Sequence, residues 1–277
     1  MKLLTLDFET VPDVGLTTFL TGKTCSDWPS GFEALAAYSK EKNHGEEKML
    51  PPPMNRIVAA GIHVAEIRTD QDDGEWYETT HLSSAADPEP VIVKNLVGWL
   101  DRIAPRLVTF NGRSFDIPLL LGRALMYRIP VPFWFKSGDR YSNYTNRYNH
   151  DWHMDLCDVL CGYGSTARMK LREYMALLQL PDKVYQGGQV QDLFLAGKIA
   201  QIRDYGELDA LNEFILYCNV QLLQGSITQN GYYKSLASVL QFLQSHQDQE
   251  HLRKFLSEWT SLDASLKALL PQEVASA

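Results

Sequence analysis

The run Leu3-Leu4-Thr5-Leu6-Asp7-Phe8-Glu9-Thr10-Val11-Pro12 places two carboxylates in an apolar, β-prone segment. Side chains two apart on a strand share a face, so Asp7 and Glu9 project together. Bare carboxylates held side by side repel each other and resist desolvation, and a shared divalent cation is the simplest compensation. A solvated acidic strand face would show the same spacing. Two further segments carry candidate chemistry. Residues 106–110 read as a strand running into an Asn111-Gly112 turn, followed by a helix that opens near Asp116. Asp116 either joins the carboxylates or only complements the positive end of its helix. Residues 214–221 read as the middle of a buried helix containing Tyr217.

In order and spacing these stretches resemble the three motifs of the DEDD 3'-5' exonucleases of the tyrosine branch. Within that group the chain is similar to a bacterial family related to the proofreading domain of B-family DNA polymerases, over residues 1 to about 235. The first motif, D-x-E, matches Asp7 and Glu9, and the second, N-x(3)-F-D, matches Asn111, Phe115 and Asp116. The third, Y-x(3)-D, finds Tyr217 with Gln221 in place of the Asp. The resemblance implies a ribonuclease H-like α/β fold and metal-dependent hydrolysis of phosphodiester bonds at the 3' end of a single strand, DNA in preference to RNA. It assigns Mg²⁺ or Mn²⁺ to Asp7, Glu9 and Asp116, orientation of the attacking water to Tyr217, and substrate contacts to Asn111 and Phe115.

On this alignment the fourth carboxylate is missing. A neutral amide is a poorer partner for a hard cation than a carboxylate is, so activity should be weakened and Gln221→Asp should strengthen it. A neighbouring carboxylate such as Asp155 or Asp209 is the other source of a fourth ligand. The competing functional reading is a catalytically degenerate relative that binds nucleic acid or a protein partner without turnover.

The elements that must position these residues are legible as a meander followed by alternating helices and strands. Strands are expected at 57–67 and 76–82 around a turn at 70–74, and helices at 90–104, 170–180, 190–197, 207–221 and 236–270. The expected organisation is a mixed central sheet with flanking helices in one domain, 1–235, with a mobile surface insertion at 13–55. A helical C-terminal extension, 236–277, packs back on it. At 277 residues and 45% hydrophobic content the chain can bury one sizeable core. His153 and Asp155 are expected to serve packing or capping.

The net charge of −8 argues against a protein that coats nucleic acid through phosphate neutralisation alone. Basic residues nonetheless gather at Arg123, Arg128, Lys136, Arg140, Arg147, Arg168, Lys170 and Arg172, around an aromatic stretch with Tyr141, Tyr144 and Tyr148 that could flank a bound strand. Cys157 and Cys161 lack a second pair to complete a zinc site, and the four cysteines read as buried thiols rather than disulfides. No run approaches the roughly 18 apolar residues of a membrane span, so a cytoplasmic protein without membrane contact is expected.

Overall fold

Strand β1 (Lys2–Pro12) sits third of five in a mixed sheet ordered β3-β2-β1-β4-β5. The computed structural model describes residues 1–70, 74–181, 189–263 and 266. After β1 come α1 (Thr17–Thr21), α2 (Trp28–Lys42), β2 (Asn55–Asp70), β3 (Gly74–Ala85), α3 (Glu89–Ile103) and β4 (Arg106–Thr109). They are followed by α4 (Asp116–Tyr127), α5 (Pro132–Lys136), β5 (His153–Asp155), α6 (Leu156–Leu160), α7 (Leu171–Leu177) and α8 (Val190–Leu195). Helices α9 (Ile199–Leu223), α10 (Gln229–Ser245) and α11 (Glu250–Leu262) follow. β1, β2 and β3 form an antiparallel meander, whereas β4 and β5 run parallel to β1.

The period of two along β1 divides the molecule into layers. Leu4, Leu6 and Phe8 face one side and pack with Ile92, Val93, Leu96 and Leu100 of α3 and Ile117, Leu120 and Ala124 of α4. Leu3 faces the other side, where Leu211, Phe214 and Ile215 of α9, Val239 and Leu243 of α10, and Phe255 and Trp259 of α11 complete a second core. Burying each such side chain contributes about 1.5–3 kcal/mol, which is why helices cover both faces of a sheet whose central strand is mostly buried.

Three expectations need correction. Segment 13–55 is not a mobile excursion: it contains α2, whose Phe32 packs with Val11, Val58, Val190, Ile202 and Tyr205. A domain boundary at 235 falls inside α10, whose Leu236 and Leu240 belong to the same core as Leu3 and Tyr77. Arg123 is not available for a basic groove. It is buried, with Nη1 donating to Asp13 Oδ2 at 2.7 Å and Nε to Glu89 Oε1 at 2.7 Å. Glu89 also accepts from the Ile57 N–H at 2.8 Å and the Tyr127 hydroxyl at 2.6 Å, so this network ties β2, α3, α4 and the turn after β1 together.

The turn expected at 70–74 and the end of the tail lie partly outside the described residues. Among the described residues no helix is long and apolar enough to cross a membrane. Cys157, Cys161 and Cys218 are buried free thiols.

Candidate active site

Asp7 and Glu9 share the β1 face that looks toward α9, and a register irregularity between Glu9 and Thr10 re-aims the strand just beyond them. Two features seat α9 on that face. Asp7 lies opposite Gly61 in the β1–β2 ladder, and a Cβ on Gly61 would fall 1.9 Å from the Gly206 carbonyl oxygen, so only glycine permits this approach. One residue pair further back, the Thr5 hydroxyl donates to the Ala210 carbonyl at 2.7 Å.

The helix therefore delivers Asp209 to the strand pair. Carboxylate oxygens of Asp7, Glu9 and Asp209 all lie within 4.8 Å of one another. Glu9 and Asp209 are buried and Asp7 is half-exposed, which leaves the cluster reachable from solvent on one side. An all-oxygen set of three carboxylates suits a hard divalent cation such as Mg²⁺ or Mn²⁺ and not a soft thiolate-seeking one.

Asp116 opens α4 and accepts the Phe8 N–H at 3.2 Å, which brings it beside the same strand from the opposite layer. Burial, then the charge of Asp7, raises its carboxyl well above the usual range. Glu213, one turn after Asp209, is buried as well. Its Oε1 accepts the Phe110 N–H at 3.1 Å, and burial followed by the charges of Asp7, Asp116 and Asp209 raises its carboxyl strongly. Without a cation, this much negative charge in one place favours protonation.

Tyr205 precedes Asp209 by four residues and so shares its helical face. It is buried and hydrogen-bonded to Asp209, and desolvation followed by the charges of Asp209, Glu9 and Asp7 drives its hydroxyl upward. The segment Tyr205-Gly206-Glu207-Leu208-Asp209 is a Y-x(3)-D sequence.

Tyr217 and Gln221 lie elsewhere, and the alignment that put them at the third motif needs correction. They follow Asp209 by eight and twelve residues on one continuous helix, which puts them about 12 and 18 Å further along its axis. There the Tyr217 hydroxyl accepts from Arg106 Nη1 at 3.1 Å and meets the Tyr77 hydroxyl, and burial pushes it up to about 12. Gln221 contacts Met154 and Gln224. Both line a separate hollow of about 270 Å³ with Glu75 and Arg106.

Asn111 and Phe115 flank the tight turn between β4 and α4, and both are half-buried. Asn111 adopts φ 64°, in the left-handed region that Asn tolerates, and a Cβ on Gly112 would collide with Thr109 at 2.3 Å. Asp155 fixes this turn by accepting the N–H groups of Asn111 and Arg113, each at 2.9 Å, and it also caps α6 through the Asp158 N–H. His153 is buried against the Thr109 hydroxyl at 2.9 Å. Neither is part of the carboxylate cluster; both shape the turn that presents Asp116.

The fold is a mixed five-stranded α/β sheet whose central strand carries, with α9, a group of three carboxylates that could share a divalent cation. Residues 47–259 match the family of predicted 3'-5' exonucleases related to the exonuclease domain of PolB, and the chain belongs to that family. The matched span takes in Asp116, Tyr205 and Asp209 and leaves Asp7 and Glu9 outside it. No curated protein matches the chain. Among solved structures, the chain is similar to a family B DNA polymerase from the hyperthermophilic archaeon Pyrobaculum calidifontis, at 13% identity and a TM-score of 0.46. That similarity covers 87% of this chain and 25% of the polymerase, so the chain spans about a quarter of that protein's length.

Proposed function

We propose that the protein is a metal-dependent 3'-5' exonuclease of ribonuclease H-like fold that removes nucleotides from the end of a single strand, with DNA as the preferred substrate. The observation that carries this reading is the meeting of Asp7, Glu9 and Asp209 within 4.8 Å, beside Asp116. These four acidic residues complete a D-x-E, N-x(3)-F-D and Y-x(3)-D set in which Tyr205 and Asp209 replace the pair Tyr217 and Gln221. The weakened site inferred from Gln221 therefore loses its motive, and so does the degenerate, non-catalytic alternative.

In this reading Asp7, Glu9, Asp116 and Asp209 hold Mg²⁺ or Mn²⁺. When bound, such ions supply a water activated near neutral pH and offset charge on the attacking and leaving oxygens. The residues do the rest. Asp116 binds from the α4 side and is oriented by the Phe8 N–H. Tyr205 orients Asp209 through its hydroxyl and takes the water-orienting role that the family resemblance assigns to the motif tyrosine. Asn111 and Phe115, on the turn anchored by Asp155, contact the terminal nucleotide.

The test is cleavage of single-stranded DNA labelled at its 5' end, with Mg²⁺, with Mn²⁺ and with chelator, beside an RNA of the same sequence. A ladder shortening from the 3' end, abolished by chelator and by Asp7→Ala, is expected. Absence of cleavage under every metal condition would contradict the proposal.

A further inference from the structure

The segment between α5 and β5 carries exposed aromatic and basic side chains that the cleft itself does not use. Tyr141 and Tyr148 are 74% and 68% exposed, so their ring faces are open to solvent. Residues 128–172 hold seven basic residues against four acidic, in a chain whose net charge is −8. The segment is thus net positive in a chain that is net negative.

These side chains form a built platform. Asp139 accepts the N–H groups of Tyr141 and Ser142, and Trp152 Nε1 donates to the Ser142 hydroxyl at 2.8 Å. Tyr144 is fully buried, with its hydroxyl on the Pro105 carbonyl. Above all, Arg113 of the Asn111 turn donates to the carbonyls of Tyr144, Asn146 and His153 at 3.3, 3.0 and 2.9 Å, so the platform is tied directly to the turn that presents Asp116.

A continuous chain of contacts leads outward from that turn. Arg168 donates to Asn111 Oδ1 at 2.8 Å and pairs with Asp158, which also holds Arg147 at 2.7 Å. Arg147 lies over the Tyr163 ring at 5.6 Å, and the Tyr163 and Tyr148 rings are 4.8 Å apart. Beyond them Arg140 lies over Tyr141 at 5.5 Å, beside an open hollow of about 500 Å³ lined by Tyr141, Tyr148, Asn146 and His150.

We propose that this strip, from Arg168 through Arg147, Tyr163 and Tyr148 to Tyr141, is a binding track for the single strand leading to the turn that presents Asp116, with phosphates on the arginines and bases stacked on the exposed tyrosines. Interleaved cations and aromatic faces at this spacing match single-stranded nucleic acid, whose bases offer stacking faces regardless of sequence. A duplex keeps its bases stacked inside and gains nothing from the tyrosines. The proposal rests on the exonuclease reading for its direction, but binding along the track does not require turnover.

The test is fluorescence anisotropy of a labelled oligothymidylate with the full chain in chelator, so that binding is read without cleavage. Tyr148→Ala and Tyr141→Ala should each weaken binding roughly 5- to 100-fold, as loss of one stacked base does. Tyr148→Phe should bind as wild type, and Arg140→Gln should lower the salt slope by about one. Circular dichroism should show all four variants folded, because the replaced side chains are exposed. In the presence of metal, Tyr148→Ala should cut the long strand more slowly than wild type does. Wild type that binds the oligomer in chelator but does not cut it in the presence of metal would refute the exonuclease reading and leave the track standing. Wild type that fails to bind, tyrosine variants that bind like wild type, or duplex DNA bound equally well through the same tyrosines would overturn the track.

Discussion

Replacing Gly61 by Ala tests whether the close approach of α9 to the meander holds the carboxylates together. The added Cβ would lie 1.9 Å from the Gly206 oxygen and 2.3 Å from its carbonyl carbon. Comfortable contact begins near 3.5 Å, so relief demands a displacement of about 1.5 Å of one backbone against the other. Gly61 is locked in the β1–β2 ladder opposite Asp7 and Gly206 lies inside a 25-residue helix, so neither yields locally. Overpacking of this kind costs about 1–3 kcal/mol. Asp209, three residues beyond Gly206, must travel with the helix, and a misplacement of about 1 Å at reacting groups costs roughly 100-fold in rate.

Gly206→Ala is the control. Its Cβ would meet the Gly61 nitrogen at 3.4 Å and Glu9 Cγ at 3.5 Å, ordinary contacts, while alanine favours the helix by roughly 0.5–1 kcal/mol. Urea midpoints and Mg²⁺-dependent cleavage rates should both fall for Gly61→Ala, whereas Gly206→Ala should keep the rate and hold or raise the midpoint. A Gly61→Ala protein with wild-type midpoint and rate would show that the Gly61–Gly206 approach does not hold Asp209 in place.

Arg123→Met should lower the urea-derived stability by about 3–5 kcal/mol, because it leaves Glu89 and Asp13 buried without their shared cation. His251 is pulled down by burial but raised overall by its hydrogen bond to Glu207 and the charges of Asp204 and Glu207. Its stabilising contribution is thus complete below the ordinary histidine range and lost as pH rises through the raised value, so the stability difference between wild type and His251→Gln should shrink on going from pH 6 toward pH 9 in urea titrations. Tyr205→Phe removes the hydroxyl bonded to Asp209 and should slow cleavage about 10- to 100-fold, in a protein whose circular dichroism is unchanged.

Much of the frame was legible in the sequence. β-branched alternation located the meander, and the apolar spacing from Pro90 onward located α3 to within a residue at either end. The pairing of Asp7 with Glu9 on one face followed from the strand period alone, and the Asn-Gly turn marked the start of the helix that carries Asp116. The third motif was misplaced for a physical reason. α9 is buried on nearly every side, so Glu207, Asp209 and Glu213 have no polar stripe of their own, and the more apolar stretch around Tyr217 looked like the deeper part of the helix. The signal was present as Tyr205 four residues before Asp209, next to a glycine at the tight helix–strand crossing. What no spacing reveals is that crossing itself: Gly61 and Gly206 meet across 145 positions of sequence, and only their packing decides which turn of α9 faces Asp7.

Cation titration of three proteins by calorimetry decides whether Asp209 or position 221 completes the site. Wild type should bind Mn²⁺, and Asp209→Asn should weaken that binding about 10-fold or more, as loss of a ligand or of its support does, with cleavage lost in parallel. Gln221→Asp should leave affinity and rate unchanged, because its side chain lies beside Met154 about 18 Å along the helix from Asp209. Tighter Mn²⁺ binding and faster cleavage by Gln221→Asp, with Asp209→Asn indistinguishable from wild type, would contradict the account.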